Sequence, residues 1–172
     1  MFKIIQRKQL RKKIALYLKN RDISNLNDSV VTMGYLVDED LFQDFEKLFE
    51  ASKEMGLKDK DVKIFTFMNV KNKLPSLRQN QINNKEFSWK GIIQNQNANE
   101  FLEFPFDILV GFYKGENNYL DLMMTKSKAK FKVGFKGVDS RISDLIINVD
   151  PLKTNDFKRE LIKYLRVLNK IK

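Results

Sequence analysis

The sequence predicts an α/β fold of three layers, in which a mostly parallel open sheet of flavodoxin-like or Rossmann-like type lies between helices on both faces. Two observations support this prediction. Segments rich in β-branched and aromatic residues alternate along the chain with segments whose apolar residues recur every three or four positions, and this alternation is typical of parallel sheets. The segment from Phe106 to Tyr113 is also nearly continuous in apolar residues, as expected for a central strand covered on both faces.

A basic amphipathic helix is predicted over residues 2–19, because Leu10, Ile14 and Leu18 recur at helical spacing among positively charged residues. The polar, turn-like stretch from Asn20 to Ser29 ends this helix. The chain is therefore expected to begin with a helix rather than a strand.

Two predicted strands flank the next helix. Val30–Val37 is apolar and rich in β-branched residues, and Val62–Met68 has the same character. The helix between them is expected to begin with a capping box formed by Asp40 and Gln43. Gly56 is well placed to cap its C-terminal end.

A long polar stretch from Asn69 to Lys85 follows the second strand. Its length and composition fit either an ordered functional loop or a mobile one. The segment Phe87–Gly91 contains the only tryptophan and predicts a short strand. Asn97 or Asn99 is then expected to cap a short helix.

The second half of the chain continues the alternation after the strand at Phe106–Tyr113. The predicted elements are, in order, a helix, two strands and a helix: Tyr119–Lys126, Phe131–Phe135, Leu145–Val149 and 155–170. No repeat, linker or compositional boundary interrupts the sequence. Residues 1–172 are therefore predicted to form a single α/β domain with basic N-terminal and C-terminal helices.

The composition excludes several kinds of site. The chain has no cysteine, which excludes disulfides, thiolate nucleophiles, iron–sulfur clusters and cysteine-ligated zinc. It also has no histidine, the usual general base near neutral pH and the commonest transition-metal ligand. An enzyme of this sequence would use carboxylates, lysine, tyrosine, hydroxyls or a metal bound through oxygen, and no cofactor is expected.

The N-terminal segment has no apolar stretch long enough for the central region of a signal peptide. No window approaches the ~18 uncharged apolar residues that a membrane-spanning helix needs. The sequence therefore predicts a cytoplasmic protein.

The positive charge points to a partner. The net charge is +10 at pH 7, and such a balance favours association with nucleic acid or an anionic membrane surface. If the first and last helices pack side by side, their outer faces would form one continuous positive surface. The candidate residues of that polyanion-binding surface are Lys8, Arg11, Lys12, Lys13, Arg159, Lys163 and Arg166. The competing interpretation is a basic face that only keeps the protein soluble, and the first hypothesis is a non-enzymatic binding module.

An acidic cluster supports a second hypothesis. Asp38 and Asp40 lie at the carboxyl end of the first predicted strand, and Asp150 ends another. Ligands of open α/β sheets bind outside these strand ends, and Mg²⁺ prefers carboxylates together with waters and phosphate. The three aspartates would then serve a small Mg²⁺-dependent enzyme that acts on a phosphorylated ligand. The alternative is that Asp40 caps a helix and Asp150 forms a turn.

Five segments together carry a resemblance that covers nearly the whole chain. They are the basic N-terminal segment, Val31–Asp38, Phe106–Tyr113, Ser127–Phe135 and Leu161–Ile171. These segments are similar to a family of uncharacterised bacterial proteins, a domain of unknown function. The resemblance implies that the chain is a complete protein. It implies no catalytic residues, because no activity is assigned to that family.

Overall fold

The computed structural model describes all 172 residues and contains five α-helices and six strands. The helices are α1 (Phe2–Lys19), α2 (Phe45–Glu54), α3 (Gln96–Glu103), α4 (Asn118–Lys126) and α5 (Thr154–Val167). The strands are β1 (Met33–Asp38), β2 (Val62–Met68), β3 (Gln81–Asn83), β4 (Ile108–Phe112), β5 (Phe131–Phe135) and β6 (Leu145–Ile147).

All six strands are parallel and form one sheet in the order β3-β2-β1-β4-β5-β6. β1 lies at the centre, and its Met33 pairs with Val62 on one side and with Ile108 on the other. This is the doubly wound order of Rossmann-like folds, in which the chain changes direction between the first and fourth strands. The predicted three-layer parallel α/β fold is confirmed.

Helices cover both faces of the sheet, because successive side chains of each buried strand point to opposite sides. On one face, Leu36 and Leu109 belong to the same hydrophobic cluster as Leu10 of α1, together with residues of α3 and α4. On the other face, Tyr35 clusters with Leu161 of α5 and with residues of α2. α1 and α5 therefore lie on opposite faces of the sheet.

The prediction of a buried central strand within Phe106–Tyr113 is confirmed. Every residue of β4 is buried, and the strand pairs with β1 and β5. β2 and β5 also have the predicted bounds.

The predicted capping box of α2 is wrong. α2 begins only at Phe45, after Asp44. Asp38 accepts a hydrogen bond from the Asp40 amide at 3.1 Å, and Gln43 donates its side-chain amide to the Glu39 carbonyl. These local bonds hold a turn between β1 and the helix, which delays the helix start by one turn.

Two further corrections concern the middle of the chain. β3 lies inside the polar stretch for which the sequence predicts a loop. Phe87–Gly91, for which it predicts a strand, forms a turn with only an isolated bridge from Phe87 to Ile93. The cap of α3 is Asn95, whose side chain accepts a hydrogen bond from the Ala98 amide at 2.9 Å, rather than Asn97 or Asn99.

None of the helices combines the length and the apolar character that crossing a lipid bilayer requires.

Candidate functional site

The first candidate feature is the outer surface of α1. The helix carries seven basic residues and no acidic residue. Arg7 and Arg11 share one carboxylate, that of Glu116, at 2.9 and 2.5 Å. No acidic side chain lies within ion-pair distance of the other five basic residues of this helix, which are Lys3, Lys8, Lys12, Lys13 and Lys19. We refer to Lys3, Arg7, Lys8, Arg11 and Lys12, all exposed, as the α1 basic face.

The side of α1 that faces the sheet holds the helix in place. Leu10 and Ile14 are buried in the core, and so is the side chain of Gln6. Gln6 Nε2 donates to the Phe87 carbonyl at 3.1 Å, and Gln6 Oε1 accepts from the Tyr119 hydroxyl at 3.0 Å. Because both ends of this amide are satisfied, the first turns of α1 are tied to α4 and to the segment after β3.

A glycine allows the close approach of this segment to α1. Gly91 has φ +74°, and a Cβ built on it would lie 3.1 Å from a methyl of Leu10 and 3.2 Å from Lys13. The left-handed backbone and the tight contact both favour glycine at this position.

The predicted partner of this surface, α5, does not join it. Its basic side chains are largely neutralised locally, because Arg159 pairs with Asp156 at 2.7 Å and Lys163 pairs with Glu160 at 2.8 Å. Arg166 has no carboxylate partner and donates to a backbone carbonyl. The idea of one continuous positive surface from α1 to α5 is wrong, because the sheet separates the two helices.

The second candidate feature is a groove of about 800 Å³ at the carboxyl ends of β2 and β3. Its walls come from the first turns of α1, the segment that follows β2, the segment that follows β3 and the start of α4. The residues lining it are Phe2, Lys3, Gln6, Asn69, Val70, Lys71, Lys73, Asn84, Lys85, Phe87, Ser88, Trp89, Gln94 and Tyr119. We refer to this feature as the lysine groove. Because Lys3 belongs to both, the groove continues the α1 basic face.

The lysine groove is positive throughout. Four lysines line it, no carboxylate does, and none of the four makes an ion pair. The side-chain amides of Asn69 and Gln94 also line it and make no hydrogen bond within the protein. Four unpaired ammonium groups in one concavity reinforce each other's field and attract anions.

Aromatic side chains form the other part of the groove. The rings of Phe67, Phe87 and Tyr119 contact one another, with Phe67 and Tyr119 stacked at 5.6 Å between centroids. Trp89 lies at the groove with 46% of its surface exposed, and the ammonium of Lys90 is 5.2 Å from its ring centroid. The groove therefore combines a rigid aromatic base with two accessible aromatic side chains, those of Trp89 and Phe2.

Hydrogen bonds fix the wall after β2, so this part of the polar stretch is an ordered loop. The Val70 amide donates to Asn84 Oδ1 at 2.7 Å, and Asn83 Nδ2 donates to the Leu74 carbonyl at 2.9 Å. Glu86 accepts from the Ser76 hydroxyl at 2.6 Å and caps its own turn through the Asn83 amide at 2.9 Å. These bonds hold Lys71 and Lys73 against the end of β3.

The acidic residues do not form the predicted magnesium site. Asp38 is half-buried, and burial raises its pKa above the usual value. Asp40 accepts from the Asn69 amide at 3.1 Å. Asp150 is ion-paired with Lys114 at 2.9 Å, which holds the Asp150 pKa below its usual range. No group of three or more carboxylates in the chain is placed to hold a metal ion.

These carboxylates also oppose phosphate binding at the usual position of the fold. In doubly wound sheets the phosphates of a dinucleotide lie on glycine-rich backbone after β1. In this chain the same position carries Asp38, Glu39 and Asp40, without a glycine. An anion is therefore favoured at the lysine groove rather than beside β1.

A third pocket, of about 490 Å³, lies at the other side of α1. Burial raises the pKa of Asp121 to about 6, although the Tyr113 hydroxyl donates to this carboxyl at 2.6 Å. Two arginines and three carboxylates line this pocket, and Arg141 pairs with Asp139 at 2.6 Å. Its charges are compensated internally, unlike those of the lysine groove.

The sequence also carries a signal for the groove, which lies outside the charged helices. From Asn69 to Lys85 the chain carries Lys71, Lys73 and Arg78 in addition to Lys85, and no acidic residue. This segment lies in the longest stretch of the chain without a carboxylate, residues 62–85, although residues 1–21 form a stretch of similar length. Trp89 is the only tryptophan of the chain, but its position beside these lysines depends on the fold.

Comparison with known proteins identifies a family and nothing beyond it. The sequence model of a family of unknown function, DUF6913, matches residues 5–168, which is nearly the whole chain. No curated protein and no solved structure matches the chain.

Proposed function

We propose that this chain, which belongs to the DUF6913 family of unknown function, is a non-enzymatic nucleic-acid-binding module. Its α1 basic face and lysine groove contact the phosphate backbone. The proposal rests on the site, since a doubly wound fold serves many unrelated functions.

One observation carries the proposal: six lysines without a carboxylate partner are brought together on the α1 basic face and in the adjoining lysine groove. α1 has no acidic residue, and no carboxylate lines the adjoining groove. On α5, by contrast, Lys158, Arg159 and Lys163 all have carboxylate partners within 2.8 Å. A surface that served only solubility would need no such separation, whereas a phosphate backbone is bound by lysines that have no other partner.

The concave shape favours nucleic acid over a membrane. A polynucleotide strand can enter a groove lined by amides and lysines, whereas a bilayer meets a protein across a broad surface. Anionic lipid is the competing partner, because α1 also exposes Phe2, Ile4 and Ile5 near its start, and exposed apolar residues among lysines suit a membrane interface.

Charge reversal on α1 tests the proposal. The triple variant Lys3→Glu, Lys8→Glu, Lys12→Glu should bind a fluorescein-labelled 15-nucleotide RNA roughly 100-fold more weakly than the wild type at low salt, because three contacts to phosphate become repulsive. For the wild type, the logarithm of the binding constant should fall linearly with the logarithm of salt, by about 0.7 per neutralised phosphate on a single strand. The slope should become shallower in the variant, which fluorescence anisotropy at several salt concentrations measures.

The matched control is the triple variant Arg159→Glu, Lys163→Glu, Arg166→Glu, which changes the net charge equally on the opposite face. It should bind within about threefold of the wild type. Equal losses in the two variants, or no RNA binding by the wild type at low salt, would contradict the proposal. A wild type that sediments with phosphatidylserine vesicles but does not bind RNA would also contradict the proposal, and would indicate a membrane surface as the partner.

A further inference from the structure

We infer that the lysine groove takes an unpaired nucleobase, with Trp89 as its stacking platform, so that the protein prefers single-stranded to double-stranded nucleic acid. This inference rests on the proposed function and specifies its ligand. It depends on features of the groove that binding of phosphate alone would not need.

The first of these features is Trp89. Its side chain is 46% exposed although it is the only tryptophan of the chain, and it lies in a groove with four lysines. Base stacking on an aromatic ring beside a positive groove is the common basis of single-strand binding, because every base has a π-face. In a duplex the bases are already stacked, so they cannot reach such a ring without unpairing.

The second feature is the set of free amides. Asn69 and Gln94 line the groove, and their side chains make no hydrogen bond within the protein. A side-chain amide has both donors and an acceptor, which matches the mixed donors and acceptors on the edge of a base. A backbone phosphate offers only hydrogen-bond acceptors, so the lysines alone would be enough to bind it.

The third feature is rigidity and size. The stacked rings of Phe67 and Tyr119 and the bonds of Gln6 to Phe87 and Tyr119 fix the base of the groove before a ligand arrives. A preorganised site loses less entropy on binding. Its volume of about 800 Å³ lies within the range of small-molecule sites and has room for more than one nucleotide.

Trp89 supplies its own assay, because all tryptophan fluorescence of the protein comes from this residue. A 15-nucleotide single-stranded RNA should quench it, whereas inorganic polyphosphate with the same number of phosphates should bind with little quenching. Trp89→Ala should weaken binding of the single strand roughly 5- to 150-fold, as expected for loss of one stacked base. It should leave binding of polyphosphate unchanged, and Trp89→Tyr should restore most of the affinity for the single strand.

The matched control is Ile92→Ala, which truncates another exposed apolar side chain three residues away that does not line the groove. It should change neither the affinity for the single-stranded RNA nor the affinity for polyphosphate. Circular dichroism and the melting temperature should be the same for all variants, since Trp89 is at the surface.

The outcomes separate the two proposals. Three outcomes would overturn the base site and leave phosphate binding intact. They are equal quenching by RNA and polyphosphate, an equal loss of affinity for both ligands in Trp89→Ala, and a duplex of the same sequence that binds as tightly as the single strand. Failure to bind any of the three polyanions at low salt would overturn nucleic-acid binding and the base site together.

Discussion

Replacing Lys132 with methionine should stabilise the protein at pH 7 by roughly 4 kcal/mol, which is the penalty of burying an amine whose pKa is about 10.4 in the unfolded chain and about 7 in the folded protein. Lys132 is in β5, only 1% of its surface is exposed, and its neighbours Phe131 and Val133 point to the other face. Its ammonium has one hydrogen-bond partner, the Thr125 carbonyl, at 3.4 Å. Burial, and secondarily the charge of Arg21, lowers its pKa to about 7.

The pH dependence follows from the direction of this shift. An unfolded lysine has a pKa of about 10.4, so between pH 7 and pH 10.4 the unfolded chain binds more protons than the folded one. The penalty is therefore fully present below pH 7 and declines as the pH rises through this window. The stability difference between Lys132→Met and the wild type should fall to about 1 kcal/mol at pH 10.

Urea denaturation at pH 7 and pH 10 measures this difference. Lys136→Met is the matched control, because Lys136 directly follows the same strand but is exposed, and it should change stability by less than about 0.5 kcal/mol. A Lys132→Met variant that is no more stable than the wild type at pH 7, or whose gain does not depend on pH, would show that Lys132 finds solvent or an anion in the folded state.

Replacing Asp107 with alanine should have the opposite effect, with a loss of about 2–4 kcal/mol. This carboxylate connects the start of β4 to the start of β1, because its Oδ2 accepts from the Val31 and Thr32 amides at 2.9 and 2.8 Å. Its Oδ1 accepts from the Lys130 ammonium at 2.8 Å. The alanine leaves the two amides without their acceptor, and the Lys130 ammonium keeps only its pair with Asp28.

Asp28→Ala is the control, since Asp28 pairs with the same ammonium of Lys130 at 2.9 Å but is about half exposed. Its loss should be below about 1 kcal/mol, as for other surface ion pairs. Thermal unfolding should show a drop of roughly 5–15 °C for Asp107→Ala and of a few degrees at most for Asp28→Ala. Similar drops for the two variants would mean that the amides of Val31 and Thr32 find other acceptors.

The role of Asp107 should also appear on acidification. Burial alone would raise its pKa, but the Lys130 ammonium and the two amides outweigh burial and hold the pKa below its usual value. A depressed carboxyl pKa contributes stability above the unfolded pKa of about 3.9. This contribution is lost as the pH falls through the pKa of Asp107 in the folded protein. The free energies of unfolding of the wild type and of Asp107→Ala should therefore become similar at low pH.

The sequence predicted those elements whose signal is local. β4 was found because its apolar run is continuous, and α1 because Leu10 and Ile14 recur at helical spacing. β3 was missed because two of its three residues are amides, Gln81 and Asn83. They are buried through side-chain hydrogen bonds to Glu39 and to the Leu74 carbonyl, which no local pattern shows.

The candidate site was predicted only in part for the same reason. The charge of α1 is visible in the sequence, but whether α1 and α5 share a face depends on which side of the sheet each connection takes. The lysine groove combines Lys3, Lys71 and Trp89, which are far apart in the chain. Its existence depends on strand order, and strand order is a long-range property that composition does not determine.

The central position of β1 also constrains how the chain can acquire its structure during synthesis. β1 pairs with β2 and with β4, and α1 packs on α4, which ends at Lys126. A nascent chain that has not yet reached Ile108 has an unpaired edge on β1, and Leu10 and Ile14 lack their neighbours from α4. Such contacts between distant segments slow folding and leave apolar surface exposed meanwhile. Premature release of the chain before β4 would therefore yield an aggregation-prone fragment rather than a smaller stable domain.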